Sequence, residues 1–340
     1  MPFGAECTPD GQVRFRLWAP KARRINLCLA RETEDRCLPL TATDGWFELI
    51  TDLAAPETRY QFEIDGGLKV PDPASRFQPD DVHGPSEVVD PSSFAWGDQL
   101  WRGRPWEDAV LYELHVGTFS PEGTFAAVEP RLEYLAGLGV TAVELMPLAD
   151  FPGTRNWGYD GVFPFAPDSR YGRPDQLKHL IQTAHHVGLM VFLDVVYNHF
   201  GPEGNYLREY APQFFTDRYR TPWGEAINYD GPGSRTVRDF FIHNALYWLS
   251  EYHFDGLRFD AVHQIFDQSP RHFLNELAET VRGALGQDRF VHLVLENDDN
   301  AARYLKRGLK NEARLYTAQW NDDFHHALHL AITGESDGYY

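Results

Sequence analysis

From Ala109 onward the chain alternates two textures that few folds accept together. Runs that are apolar almost throughout occupy 110–116, 140–147, 189–196, 256–261, 290–296 and 313–320. Between them apolar residues recur every three or four positions, as in Leu177, Leu180, Ile181, Ala184 and Val187, or Phe273, Leu274, Leu277, Val281 and Leu285. Strands apolar on both faces need cover on both, and amphipathic helices supply it, so the pattern predicts a parallel sheet layered with helices. A doubly wound sheet and a (β/α)8 barrel both satisfy it. Polar residues separate the two, because nearly every run ends in them: His115, Glu144, Asp194 with Asn198 and His199, Arg258 with Asp260 and His263, Glu296 with Asn297 and Asp298, then Gln319 to Asp323. A polar ring built from the carboxyl ends of successive strands belongs to a barrel. No G-x-G-x-x-G follows the first run, which weakens a dinucleotide-binding sheet. The expected fold over 109–340 is therefore an α/β (β/α)8 TIM barrel with about six βα units present.

The preceding residues read differently. Segments 13–18, 25–29, 45–50 and 58–64 alternate apolar and polar and are cut by Gly, Pro and Asp, the pattern of a small antiparallel, immunoglobulin-like β-sandwich, assigned to 1–95. Residues 96–108 are expected to be a linker. A length of 340 residues accommodates roughly two such domains.

Composition narrows the partners. Lys and Arg number 31 against 50 Asp and Glu, a formal charge of −19 that repels nucleic acid and anionic membranes. Aromatics at 14% suit sugar rings, whose C–H faces are apolar. The cysteines, Cys7, Cys28 and Cys37, form no C-x-x-C pair; with their odd number and no visible signal or membrane run, they predict reduced thiols and a cytoplasmic protein. His115, His199, His263 and His292 have no H-x-H or H-E-x-x-H spacing, so neither a metal nor another cofactor is expected. His185-His186 and His325-His326 read as surface or packing residues.

Side chains two apart on a strand share a face, so Arg258 pairs with Asp260, and His292 and Val294 with Glu296. Asp260 and Glu296 then come from neighbouring strands ~4.8 Å apart. That spacing suits a retaining glycosidase, in which one carboxylate attacks the sugar and the other protonates the leaving oxygen. Arg258 is expected to keep Asp260 ionised. The same residues admit plainer roles: strand-end carboxylates also cap helices, Asp194 and Arg258 can simply pair, and Trp157 with Tyr159 can form a loop's own core.

Three blocks in order, Asp194-Val195-Val196-Tyr197-Asn198-His199, Gly256-Leu257-Arg258-Phe259-Asp260-Ala261-Val262-His263 and Glu296, resemble the α-amylase family of glycoside hydrolases. The resemblance implies Asp260 as nucleophile, Glu296 as general acid/base and Arg258 as orienting group. It also implies Asp194, His199 and Tyr159 around the sugar whose bond is cut, with Trp157 and His263 beside them. Finer text, including 112–119, 144–153, 296–300 and 319–326, is similar to a branch of that family that splits trehalose from the end of trehalose-capped maltooligosaccharides. Asn297, Asp298, Asp323 and His326 are the candidates for the trehalose end, since hydroxyl-rich groups are selected by hydrogen bonds. The alternatives are a glycogen branching or debranching enzyme and a non-catalytic α-glucan-binding protein. The family's third carboxylate has no counterpart in the chain and is expected beyond residue 340; this chain alone is expected to be poorly stable and inactive.

Overall fold

The computed structural model describes residues 1–31, 35–285, 288–309 and 311–338. Gly4–Cys7, Val13–Trp18, Trp46–Thr51 and Thr41–Thr43 form one antiparallel sheet; Arg36–Pro39, Ile25–Leu29, Arg59–Ile64 and Leu68–Val70 form a second, with Ser86–Glu87 also paired to Arg59–Ile64. The alternating residues Val13, Phe15 and Leu17 meet Leu27, Tyr60 and Phe62 between the sheets, all fully buried. The short strands among them lack alternation over a useful length and escape sequence reading.

One of those strands corrects the cysteine expectation. Cys28 and Cys37 stand directly opposite on antiparallel neighbours and form a disulfide, with Cα atoms 4.0 Å apart; Cys7 is free. The pairing is invisible in the spacing because it depends on a partner strand, Arg36–Pro39, that the sequence pattern does not reveal.

The parallel sheet has six strands in sequential order: β1 (Leu111–Leu114), β2 (Ala142–Leu145), β3 (Met190–Val195), β4 (Gly256–Phe259), β5 (His292–Glu296) and β6 (Ala318–Trp320). It curls into a half-barrel. Parity holds throughout: Val143, Leu145, Val191, Leu193, Leu257, Phe259, Leu293 and Leu295 join the main core, while Ala142, Met190, Phe192 and Val294 pack together on the other, inner face. Residue 256, opposite Phe192 on that inner face, is a glycine because a Cβ there would collide with the Phe192 ring. Helices α1 (Pro174–His186), α2 (Ser234–Glu251) and α3 (Phe273–Leu285) cover the outer face, and α4 (Asp322–Thr333) follows β6. Proline opens α1 at its first turn, where its missing N–H costs nothing, and Leu177, Leu180, Ile181 and Ala184 form its buried stripe.

Between β1 and β2 the expected helical stretch is broken into Phe125–Val128, a 3-10 turn at Glu129–Arg131 and Leu132–Gly137, with Pro130 at the break. A hairpin, Phe215–Thr221 with Gly224–Ile227, rises between β3 and α2 and was not foreseen.

The sandwich packs on the helical layer. Phe3 meets Phe240 edge-on at 5.3 Å, Trp18 lies 5.7 Å from Phe214, and Arg76 reaches Glu251 at 3.5 Å. Residues 96–108 line the amino ends of the strands: Trp96 stacks on His253 at 3.8 Å, Trp101 on His185 at 4.8 Å, and Trp106 lies 5.4 Å from His292. His185 is therefore neither a surface residue nor simple packing. Its two ring nitrogens face Asp98 at 2.8 Å and Asp255 at 3.0 Å in a buried ion pair. Among the described residues no helix is long and apolar enough to cross a membrane.

Candidate active site

At the carboxyl ends of the strands, one guanidinium gathers three carboxylates. Arg258 stands opposite Asp194 in the β3–β4 register. Its Nη1 donates to Asp194 Oδ2 at 2.6 Å and to Asp260 Oδ1 at 3.2 Å, and its Nη2 lies 2.9 Å from Glu296 Oε2. The plainer possibility, that Asp194 and Arg258 pair, is thus correct in geometry but incomplete, because the same cation also holds Asp260 and Glu296.

Each carboxylate has further support. Asn198 Nδ2 donates to Asp260 Oδ2 at 2.8 Å, and the Tyr159 hydroxyl donates to Asp194 Oδ2 at 2.9 Å. The backbone N–H of Ala261 donates to Glu296 Oε2 at 2.8 Å. Ala261 adopts φ 40°, a left-handed conformation that a residue with a Cβ seldom takes, next to Asp260; such strain persists where the surroundings enforce it.

One cation for three acids leaves the cluster short of positive charge. Burial pushes Asp260 up to about 6 and Asp194 up to about 7, outweighing Arg258, which lowers both. The expectation that Arg258 keeps Asp260 fully ionised thus needs amending: the guanidinium is shared, and Asp260 is only 8% exposed. Arg258 itself is held firmly charged by Asp194, Glu296 and Asp260 against its burial.

The loop after β2 supplies the wall. Gly158, at φ 100°, sits where any Cβ would strike the Pro147 carbonyl, so this tight turn delivers Tyr159 to Asp194. His115 Nε2, 2.8 Å from the Asn156 carbonyl and 3.1 Å from the Tyr171 hydroxyl, ties β1 to the same loop. His199 Nε2 donates to the Tyr159 carbonyl at 2.9 Å, and its ring lies parallel to Trp223 at 4.5 Å. Trp157 is 73% exposed, so it is not a buried loop core.

Beyond β5 the remaining candidates divide. His263 Nε2 lies 3.3 Å from Asp298 Oδ2, and Asn297 Nδ2 donates to Gln319 Oε1 at 3.3 Å. Asp298, raised by burial and by a hydrogen bond shared with Asp322, reaches α4 through Asp322 rather than through Asp323, which is exposed. His326, one turn along, belongs to a group with Asp322 and His325 whose donor atoms lie within 4.8 Å of one another. Sequence reasoning missed Trp223, Asp322 and the supporting role of Asn198. Asn198 carried a signal, lying four residues after Asp194 at a strand end; Trp223 carried none, because the hairpin was not anticipated.

Residues 88–244 match the family model described as the alpha amylase catalytic domain, and residues 2–77 match carbohydrate-binding module 48, the isoamylase N-terminal domain. The chain belongs to the α-amylase family, with a module-48 sandwich ahead of the catalytic fold. Within that family it is 45% identical to the malto-oligosyltrehalose trehalohydrolase of Saccharolobus solfataricus, an alignment covering 100% of this chain and 59% of that protein. It is 45% identical to the protein of the same name from Deinococcus radiodurans, covering 99% and 54%. A crystal structure from Salmonella typhimurium, provisionally assigned to the alpha amylases, superposes with a TM-score of 0.95 at 50% identity, covering 99% of this chain and 57% of that one. A pullulanase from Anoxybacillus sp., solved with maltotetraose, shares the fold at a TM-score of 0.75 and 24% identity, over 86% of this chain and 49% of its own. The chain spans somewhat over half the length of the curated relatives it matches.

Proposed function

We propose that the protein to which this chain belongs is a retaining α-glycoside hydrolase that cleaves the α-1,4 bond next to the terminal trehalose of maltooligosyltrehalose, releasing trehalose and a maltooligosaccharide. The observation that carries the chemistry is the shared grip of Arg258 on Asp260 and Glu296. One guanidinium 3.2 Å from Asp260 and 2.9 Å from Glu296 draws the two carboxyls together, which favours the ~5–5.5 Å spacing of a retaining pair over the ~6.5–9.5 Å of an inverting one. Asp260, mostly ionised at neutral pH, attacks the anomeric carbon. Glu296 protonates the departing oxygen and then takes a proton from water. Asp194, Tyr159 and His199 enclose the sugar being attacked, with Trp157 beside them; His263, Asn297, Asp298, Asp323 and His326 receive the trehalose end. The trehalose specificity rests on the named relatives.

The proposed division is a sandwich over 1–95, a connection over 96–108 and a catalytic barrel over 109–340, of whose eight units six strands are present; its last two residues lie outside those described. The cytoplasmic location is proposed from the sequence alone, and the Cys28–Cys37 bond weighs against it. Product analysis is the test. Trehalose released from maltooligosyltrehalose, with plain maltooligosaccharide cut far more slowly, supports the reading; new α-1,6 branches, or binding without turnover, would overturn it.

A further inference from the structure

Glu144 points from β2 onto the inner face and is 1% exposed. Both its carboxyl oxygens are buried without a hydrogen-bond partner among the described residues. Its Cα stands opposite Phe192 on β3 and Glu113 on β1. Asp194, two residues beyond Phe192 on the same face, is therefore its diagonal neighbour, ~7–8 Å away between Cα atoms, a gap a glutamate side chain largely spans. Asp194 Oδ1 is also buried and unpartnered, whereas its Oδ2 accepts from Arg258 and Tyr159. Three acceptor oxygens thus share this corner of the half-barrel with no donor between them. One proton resolves the conflict, and it belongs on Glu144, because Asp194 has the guanidinium at 2.6 Å and Glu144 has no such contact.

We infer that Glu144 is a positioning residue, held as the neutral acid at neutral pH and donating to Asp194 Oδ1 directly or across one trapped water, so that Asp194 stays fixed toward the sugar. Burial supports this by pushing Glu144 up to about 8, with Asp194 on β3 and Glu113 on β1 adding to the effect and Arg258 on β4 opposing it. The positioning half rests on the hydrolase reading above; the protonation half does not.

Three measurements on the whole protein to which this chain belongs test both halves. Isotope-edited infrared spectra at pH 7 should contain a carboxylic-acid C=O band that Glu144→Gln lacks, and its absence from the wild type overturns the inference. The unfolding constant of the wild type relative to Glu144→Gln should rise about tenfold per pH unit between roughly pH 5 and 8, because only the unfolded glutamate ionises there; a difference that does not vary with pH overturns it. With trehalose-capped maltooligosaccharide, Glu144→Gln, which keeps a donor, should retain kcat/KM within about threefold. Glu144→Leu, which fills the volume without a donor, should lose about tenfold with no fall in Tm. Equal activity of Leu and wild type ends the positioning role. If the whole protein to which this chain belongs hydrolyses nothing, the hydrolase reading alone is lost, and the first two measurements still decide where the proton sits.

Discussion

The two ends of the parallel sheet use charge in opposite ways. At the amino end, Asp255 is wholly buried yet accepts from Trp101 Nε1 at 2.8 Å, from the Val191 N–H at 2.8 Å and from His185 at 3.0 Å. Burial alone would raise Asp98, but His185 and His253 bring it down to about 2. Burial alone would lower His185, but Asp255 and Asp98 raise it. At the carboxyl end, Arg258 serves three carboxylates, Glu144 has no hydrogen-bond partner among the described residues, and Asp194, Asp260 and Glu144 are pushed up instead. Matched charges stabilise the fold, whereas unmatched acids store reactivity, and the sheet assigns one arrangement to each end.

The sharpest way to break this comparison is to remove one acid from each end. Asp260→Asn should reduce turnover on the order of 10⁴-fold or more while the chain still binds maltooligosaccharide and unfolds no earlier. Retained turnover would remove Asp260 as nucleophile. Asp255→Ala should do the reverse, lowering stability by about 3–5 kcal/mol because His185 and the Trp101 N–H lose their buried partner. A denaturant midpoint equal to wild type would mean the amino-end network is ornamental.

Acidity should separate the ends as well. Asp260 has to be ionised to attack, so kcat/KM should fall about tenfold per pH unit below its value of about 6. The fold should outlast that loss. Asp98 is depressed in the folded state, so its stabilisation is present above the unfolded carboxylate range and disappears only as pH falls from about 4 toward 2. Activity lost together with tertiary structure near pH 6 would contradict the separation.

The carboxyl end was the more legible of the two. Strand parity alone put Arg258 with Asp260 and placed Glu296 beside them, since alternation is local and survives without knowing the partner strand. The amino-end network was missed entirely, although Asp98, His185 and Asp255 were in plain view. Its contacts join residues 70 to 87 apart through a segment read as a mere linker, and no periodicity reports a contact of that kind. The Cys28–Cys37 bond and Trp223 were hidden for the same reason, each depending on a short strand that carries no alternation of its own.

The smallest expected effect concerns the trehalose end, where the geometry redistributes what the sequence suggested. Asp323 is exposed on the first turn of α4, while Asp322, beside it, shares a hydrogen bond with Asp298, which also faces His263. An exposed carboxylate contributes ~0–1 kcal/mol to a contact, so Asp323→Ala should shift the preference for trehalose-capped over plain maltooligosaccharide by only a few-fold. Asp322→Asn, by disturbing Asp298 where the leaving group is received, should shift it more. The ratio of kcat/KM values for the two substrates measures both. If Asp323→Ala proves the more damaging, recognition at this end runs through the exposed face of α4 rather than through the Asp322–Asp298–His263 chain.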